Sequence, residues 1–310
     1  MSSSTIFIKR DISFIAFLAL LSVIFAVSMF NAFVYEYQVD TPNSALASKL
    51  CHKEMGVLYG IFSMAYKEEA RGVIRQKSQC DFNNEIHKTI FVVGKPRNQR
   101  DYEIIMRESK LYRDIFILTC TENMNMGKTY TYFKEASEKF PCFKFYAKVD
   151  DDTAFLPNKI SATIMSLPNN GAMYYARISK LRDSFITWIG KFITGTFHNV
   201  IHLSTLEEYS AGLLYVLNKQ AIVEWVAYNP RPIELFGDED LITSYYMRHL
   251  GARGFNFNNT FHDYYIYKPN LFPDDHWRLN ITSDTRAVHQ CKTPKDLSDA
   301  LTLLCSQTHE

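Results

Sequence analysis

The sequence lacks any marked imbalance of charge. Its 310 residues carry 34 Lys and Arg against 33 Asp and Glu, which gives a formal net charge of +1. A chain without an excess of positive charge has little long-range attraction for the phosphates of a nucleic acid. We therefore expect no nucleic acid among its partners.

A C-x-x-C pair is also absent, which excludes a zinc ribbon. The six cysteines are Cys51, Cys80, Cys120, Cys142, Cys291 and Cys305. An even set allows up to three disulfides in an oxidising compartment, and the sequence does not choose among the pairings. Some can instead be buried thiols, for which Cys120 at the end of an apolar run is the first candidate.

One long stretch near the N-terminus lacks charge altogether. Residues 12–34 contain no Asp, Glu, Lys or Arg, and a helix of this length would span about 35 Å, enough to cross a bilayer. Lys9 and Arg10 precede the stretch, whereas Glu36 and Asp40 follow it. The positive-inside rule then predicts a type II membrane protein with most of the chain in the lumen.

A cleaved signal peptide is the alternative for this stretch. Its apolar core would normally have only about 7 to 15 residues and would end near small residues such as Ala26 and Ser28. Asn258 and Asn280 begin N-glycosylation sequons, which matter only in a secretory compartment. The expected organisation is a cytosolic tail at 1–11, a signal-anchor at 12–34, a stem at 35–50 and one luminal domain at 51–310.

Apolar, beta-branched runs alternate with helical spacing in the first half of the luminal part. Residues 90–94 and 114–120 are predicted to be buried parallel strands, and residues 102–112 and 128–140 to be helices. A third strand at 143–149 runs directly into an acidic triplet. This alternation predicts an alpha/beta domain, with the triplet at the carboxyl end of a strand, where such sheets bind ligands. In the second half the expected strands are 173–177, 211–217 and 255–259, and the expected helices are 219–226 and 240–250.

The triplet is Asp150, Asp151 and Asp152. Adjacent carboxylates repel one another and are tolerated mainly where a cation neutralises them, so the triplet predicts a divalent metal site that can also hold a diphosphate. A solvated acidic loop or a helix cap is the alternative. A haloacid-dehalogenase phosphatase is disfavoured because its pattern needs Thr or Val four residues after the first Asp, and Ala154 stands there.

A second acidic cluster, Asp238-Glu239-Asp240, opens a helical stretch. Acidic residues in a first helical turn are favoured by the helix dipole, so a cap is the simplest interpretation. An inverting sugar transfer, however, needs a carboxylate that takes the proton from the attacking hydroxyl. The cluster is a suitable source of that carboxylate.

The order of these motifs resembles that of the beta-1,3-galactosyltransferase and fringe-related group of GT-A glycosyltransferases. The similarity extends from about residue 71 to residue 251. It is carried by Arg71-Gly72-Val73-Ile74-Arg75, Phe91-Val92-Val93-Gly94, Glu108 through Tyr112, Asp114 and Ile115 to Lys128-Thr129, Lys148-Val149-Asp150-Asp151-Asp152, Tyr209-Ser210-Ala211-Gly212-Leu213-Leu214-Tyr215, and Gly237-Asp238-Glu239-Asp240-Leu241. Each motif is weak alone, and six in the same order are specific.

The resemblance implies roles for the acidic residues. Asp152 would be the principal metal ligand, while Asp150 would share the metal or face the nucleotide ribose, and Asp151 would belong to the donor site. Asp240 would be the base, with Glu239 as its substitute if the alignment slips by one residue.

The resemblance also implies roles outside the acidic clusters. Arg71 and Arg75 would lie near the donor, with a surface salt bridge as the alternative. Tyr209 and Gly212 would shape the acceptor side, or serve only packing and close backbone approach. His289 is a candidate further metal ligand, since a neutral imidazole suits manganese, although a lone His is more often structural.

The uncharged stretch predicts a type II membrane protein, and the resemblance implies a Golgi enzyme with a luminal GT-A domain. The predicted reaction is inverting transfer of galactose or N-acetylglucosamine, with Mn2+ or another divalent cation, from the UDP-sugar to an acceptor glycan on protein or lipid, forming a beta-1,3 linkage. A retaining transferase and a silent homologue acting as a scaffold remain as alternatives. Besides donor and acceptor, the expected partners are the membrane and, as an open alternative, a second copy of the chain.

Overall fold

A seven-stranded mixed sheet organises the computed structural model, which describes residues 55–77, 80, 86–180, 208–257, 260–263 and 282–307. The seven strands are β1 (Met55–Phe62), β2 (His87–Lys95), β3 (Ile115–Thr121), β4 (Phe143–Asp150), β6 (Met173–Lys180), β7 (Glu208–Asn218) and β8 (Arg253–Asn256). Their order across the sheet is β3-β2-β1-β4-β7-β6-β8. A smaller sheet joins β5 (Ala154–Phe155), β10 (Ala287–His289) and β9 (Phe261–Asp263) in the order β5-β10-β9.

The strand directions change at β4. Strands β3, β2, β1 and β4 are mutually parallel, whereas β7 runs antiparallel to both β4 and β6. The chain leaves β1 toward β2 on one side and returns to β4 on the other, so a crevice opens at the carboxyl ends of β1 and β4. Since β7 runs the opposite way, its first residues reach the same edge of the sheet.

Helices cover both faces of the sheet. The helices are α1 (Glu68–Lys77), α2 (Gln99–Tyr112), α3 (Lys128–Lys139), α4 (Pro157–Ser166), α5 (Lys219–Tyr228), α6 (Glu239–His249) and α7 (Pro294–Ser306). Apolar residues of α1, α4 and α7 pack into one hydrophobic cluster, and those of α3, α5 and α6 pack into a second. Because each cluster buries one face of the sheet, the polar groups collect at the strand ends, where neither helical layer covers them.

The predicted elements of the first half are confirmed, with ends shifted by up to three residues. In the second half β8 occupies 253–256, whereas the sequence predicted a strand at 255–259. The rings of Phe255 and Phe257 both stack on Tyr175. Pairing with β6 nevertheless begins earlier, at Arg253 opposite Met173.

Strand β1 was not predicted, because glycines interrupt its apolar pattern. It lies between β2 and β4, and all but its first residue are buried. A Cβ on Gly60 would come within 2.4 Å of the ring of Tyr132. The glycine therefore lets α3 approach the sheet, since no larger side chain fits between them.

Several predictions concern residues outside those that the structure describes: the cytosolic tail at 1–11, the anchor at 12–34, the stem at 35–50 and the sequons at Asn258 and Asn280. Within the described ranges, no helix is both long and apolar enough to span a bilayer. The cysteines divide as the sequence allowed. Cys80 is bonded to Cys305, Cys142 is also in a disulfide, and Cys120 and Cys291 are free thiols.

Candidate functional site

The acidic triplet lies in the crevice at the carboxyl end of the sheet. Asp150 ends β4, and the next two residues form a turn closed by a hydrogen bond from the Thr153 amide to the Asp150 carbonyl. The Thr153 hydroxyl donates to the carbonyl of Leu213 in β7. The turn is thus anchored to two strands, and its carboxylates have fixed directions.

The small sheet brings His289 to the triplet. Strand β10 pairs antiparallel with β5, which follows the triplet directly, and Val288 lies opposite Ala154. The amide of Cys291 also donates to the carbonyl of Asp152 at 2.8 Å. His289 therefore faces Asp150 and Asp152 although 137 residues of sequence separate it from the latter.

Asp150, Asp152 and His289 form a group with the composition of a metal site. His289 Nε2 lies 3.5 Å from Asp150 Oδ2 and 3.3 Å from Asp152 Oδ1. One ligand atom from each residue falls within 4.8 Å of the others. Carboxylate oxygens with one imidazole nitrogen suit Mn2+. These residues fit a divalent cation by their chemistry and spacing.

A lysine holds the second oxygen of each metal-site carboxylate. Lys148 Nζ lies 2.6 Å from Asp150 Oδ1, and Lys292 pairs with Asp152 Oδ2. Burial alone would raise the pKa of Asp152, but hydrogen bonds from His289 and Lys292 outweigh it and hold that pKa below its usual range. The carboxylate is therefore ionised, and its other oxygen points toward the imidazole.

Asp151 lies apart from this three-residue group. Its Oδ2 accepts a hydrogen bond of 3.1 Å from the hydroxyl of Ser63, which follows β1. Burial raises the pKa of Asp151, while the charge of Lys67 and the Ser63 hydrogen bond oppose the shift. The middle carboxylate thus connects the triplet to the end of β1.

Arg71 supports this connection from inside the protein. Its side chain is fully buried, and it forms a bidentate ion pair with Glu108 in α2. The remaining donors reach the Ser63 hydroxyl and the carbonyls of Met64 and Ala65. All five N–H groups of the guanidinium are therefore used within the chain, which fixes the segment after β1.

Arg75 lies one turn further along α1 than Arg71 and has different partners. It forms ion pairs with Asp114 and Glu108, and its guanidinium lies over the rings of Tyr112 and Phe91. The donor role of both arginines stays a prediction. The structure joins Arg71 to the triplet through Ser63 and places its ion pair in the interior, whereas the contacts of Arg75 are with α2, with β2 and with Asp114 just before β3.

A second buried cation fixes the same segment. Lys128, at the start of α3, donates to the carbonyl of Ser63 at 3.1 Å and to both oxygens of Glu122 at 2.6 and 2.8 Å. Burial lowers the pKa of Lys128, while Glu122 counteracts the shift. The backbone and the hydroxyl of Ser63 are thus held by different cations.

Glu239, the first residue of α6, has both oxygens occupied. Lys148 donates to Oε1 at 2.5 Å, while the hydroxyls of Tyr215 and Thr129 donate to Oε2 at 2.5 and 3.1 Å. Three donors within the chain thus bind this carboxylate. The side chain is placed to fix α6 against β4, β7 and α3.

Asp240 has a different environment. Its Oδ1 accepts the Leu241 amide at 2.8 Å, and no described residue donates a hydrogen bond to Oδ2. Burial, followed by the charge of Glu239, raises the pKa of Asp240 to about 7. Asp240 is therefore the carboxylate of the cluster that can accept a proton near neutral pH.

The start of β7 lies against this cluster. A Cβ on Gly212 would be 3.2 Å from Glu239 Oε1 and 3.5 Å from Asp240 Oδ2. The Gly212 carbonyl accepts a hydrogen bond of 2.6 Å from Lys148. Tyr209 lies three residues earlier on the same strand, opposite Ser179 of β6. The absence of a side chain at 212 thus permits close approach of α6.

Three contributors were missed from the sequence: Ser63, Lys148 and Lys292. Lys148 carried a usable signal, because a lysine in the otherwise apolar strand β4 needs a buried partner, and its spacing of two puts it on the face of Asp150. Ser63 is a single polar residue between Phe62 and Met64, and Lys292 lies in a polar segment. No local pattern distinguishes them from solvent-exposed residues.

Comparisons with known proteins agree on one family. The family described as galactosyltransferase matches residues 69–256. A beta-1,3-galactosyltransferase, pvg3 of Schizosaccharomyces pombe, is 28% identical over 101 residues, which are 30% of this chain and 26% of that protein. The chain therefore spans about a quarter of the length of this curated relative.

Solved glycosyltransferases with low sequence identity also match. The apo structure of the bifunctional glycosyltransferase WbbM has 11% identity and a TM-score of 0.47, and covers 88% of this chain and 54% of its own. A mannosyltransferase from Pyrobaculum calidifontis, in complex with GDP-mannose and Mn2+, has 13% identity and a TM-score of 0.40. That match covers 77% of this chain and 64% of the mannosyltransferase.

Proposed function

Since the chain belongs to the galactosyltransferase family of glycosyltransferases, we propose that it is an inverting, metal-dependent hexosyltransferase that uses a UDP-sugar. The observation that supports this most directly is the pair of acidic sites at one sheet edge. One is a potential metal group, and the other contains a carboxylate whose pKa is about 7. Lys148 contacts both sites, so they belong to one crevice.

The first site would hold the diphosphate end of the donor. Asp150 Oδ2, Asp152 Oδ1 and His289 Nε2 are the atoms that would bind a divalent cation. When bound, the cation supplies positive charge to the diphosphate as it leaves the sugar. Asp151 would lie on the nucleotide side, since Ser63 holds its carboxylate toward the end of β1.

The second site would activate the acceptor. Asp240 would take the proton from the attacking hydroxyl as the new glycosidic bond forms and the bond to the diphosphate breaks. Glu239 is less suited because three donors already bind its carboxylate. Its proposed role is to fix the first turn of α6, and hence the direction of Asp240.

The finer parts of the proposal rest on the sequence and the family. We infer a GT-A domain, galactose or N-acetylglucosamine as the sugar, and a beta-1,3 linkage to a glycan on protein or lipid. The uncharged stretch at 12–34 supports a type II membrane anchor, since it is long enough to cross a bilayer, and the placement in the Golgi is proposed from the family resemblance.

The direct test measures donor turnover by the purified full-length chain with a panel of UDP-sugars, in Mn2+ and after chelation. We expect one donor to be consumed in the presence of Mn2+, with activity lost on chelation and regained when Mn2+ is returned. Asp152→Ala is expected to weaken Mn2+ binding by at least the roughly 10- to 100-fold that follows mutation of a group supporting a ligand, because it removes a ligand itself.

Asp299→Asn is the matched control, because this exposed carboxylate on α7 has Lys295 of the same helix as its one ion-pair partner in the described part of the chain. It should leave Mn2+ affinity and turnover unchanged. A folded full-length chain that neither binds nor consumes any donor would exclude the transferase and leave the scaffold interpretation.

The raised pKa of Asp240 predicts the pH dependence of the reaction. A base must be unprotonated, so kcat/KM should fall about tenfold for each pH unit below about 7 and level off above it. The profile should be measured with Mn2+ saturating at every pH, so that loss of metal at low pH does not contribute. A flat profile between pH 5.5 and 8 would contradict the assignment of Asp240 as the base.

A further inference from the structure

Lys148 is a fully buried lysine with an acceptor for each of its three N–H groups. Its Nζ lies 2.6 Å from Asp150 Oδ1, 2.5 Å from Glu239 Oε1 and 2.6 Å from the Gly212 carbonyl. The rings of Phe62 and Tyr215 lie on either side, with centroids 5.8 and 5.6 Å from Nζ. A buried charge with complete hydrogen bonding is expensive to rearrange, so the ammonium fixes the groups around it.

The two carboxylates bound to Lys148 belong to different sites. Asp150 is part of the three-residue metal group, whereas Glu239 precedes Asp240 and begins α6. Since Lys148 occupies Asp150 Oδ1, only Oδ2 faces His289. The same ammonium therefore sets the oxygen that Asp150 offers and the position of the first turn of α6.

Resting on the proposed function, we propose that Lys148 is a positioning residue that couples metal binding at Asp150 to the placement of the Asp240-bearing helix through Glu239. A cation at Asp150 competes with the ammonium for the carboxylate and shifts its attraction toward Glu239. Conversely, loss of charge at Glu239 lets Lys148 hold Asp150 more tightly. Each site thus alters the other, as coupling requires.

The chain offers a matched comparison in Lys292. This lysine binds Asp152 at the same metal group, but it is largely exposed and follows β10, and its ion-pair partner is Asp152 and not Glu239. Replacing either lysine with Met removes one positive charge beside the metal. Only Lys148→Met also removes the link to Glu239.

The experiment is a double-mutant cycle on Mn2+ affinity of the full-length chain, measured by calorimetry without donor. Lys148→Met should bind Mn2+ roughly 3- to 10-fold more tightly, since a competing cation is removed, while kcat falls by about 10²-fold because α6 is no longer positioned. If the substitution merely destabilised the site, the variant would instead lose both Mn2+ affinity and kcat. Lys292→Met should show the gain in affinity with a smaller loss of kcat.

Glu239→Gln provides the coupling readout. It should weaken Mn2+ binding by about threefold or more in the unmodified chain and in Lys292→Met, and by clearly less in Lys148→Met. An equal factor in all three backgrounds would overturn the proposal, because a simple charge effect is additive. If Lys148→Met does not fold, unchanged Mn2+ affinity in Glu239→Gln alone overturns it.

The outcomes also separate this proposal from the proposed function. If the wild-type chain binds Mn2+ and transfers sugar, but the effects of the substitutions on Mn2+ affinity are additive, only the coupling by Lys148 is rejected. A folded wild-type chain without Mn2+ binding or turnover would reject both.

Discussion

Replacing Asp240 with Asn is expected to lower kcat/KM by about 10²- to 10⁴-fold, the usual range for loss of a general base. Asn keeps the size of the side chain and can still accept the Leu241 amide, so the helix should remain in place. Donor binding and Mn2+ affinity should change by less than about twofold, since Asp240 is proposed to contact neither the donor nor the cation.

The same substitution is expected to stabilise the fold at neutral pH. The folded-state pKa of Asp240, about 7, exceeds the ordinary value, so the native state binds this proton more tightly than the unfolded chain does. Stability is therefore lost as pH rises from about 4 to about 7. At pH 8, Asp240→Asn should gain about 1 to 3 kcal/mol, or several degrees in Tm.

Glu239→Gln is the control at the neighbouring position. The chemical change is the same, but Glu239 is held by Lys148, Tyr215 and Thr129. This variant should therefore lose stability at pH 8. Thermal melts at pH 5 and pH 8 distinguish the two carboxylates, and a gain for Asp240→Asn that is no larger at pH 8 than at pH 5 would refute the burial argument.

Arg71→Met is expected to lower the free energy of unfolding by about 3 to 5 kcal/mol, because it leaves Glu108 buried with one partner fewer and frees the carbonyls after β1. The side chains of Arg71 and Glu108 are 0% and 1% exposed. Denaturant unfolding of the full-length chain measures the loss.

Arg107→Met is its matched control, since Arg107 and Glu68 also pair α2 with α1. Their side chains are 65% and 49% exposed. An exposed pair of this kind contributes only about 0 to 1 kcal/mol. Equal losses in the two variants would show that the helices, and not the buried ion pair, determine the effect.

The sequence predicted those elements whose identity depends on local pattern. Strands β2, β3 and β4 are apolar runs bounded by breakers; the first acidic cluster follows a predicted strand, and the second opens a predicted helix. Strand β1 was not predicted, because its Gly60 is explained by the close approach of Tyr132, and that approach is a tertiary contact. Pattern alone could not reveal it.

The sequence predicted which residues belong to the candidate site better than it predicted how they are arranged. His289 was recognised as a metal-ligand type, but only the pairing of β10 with β5 places it beside Asp152. The five donors of Arg71 find acceptors up to 37 residues away, so the sequence could not separate a donor contact from an internal support. Choosing between Glu239 and Asp240 required knowing which oxygens were already hydrogen-bonded.

The disulfide between Cys80 and Cys305 has a mechanical consequence. It spans 225 residues and closes a covalent ring that contains Asp150, Asp240 and His289. Tension applied to the chain on the two sides of the ring would pass through the sulfur atoms and bypass these residues. Strand β1 and helix α1, which lie before Cys80, remain outside the ring. Because the load bypasses them, the residues proposed for metal and acceptor chemistry would stay enclosed within the ring.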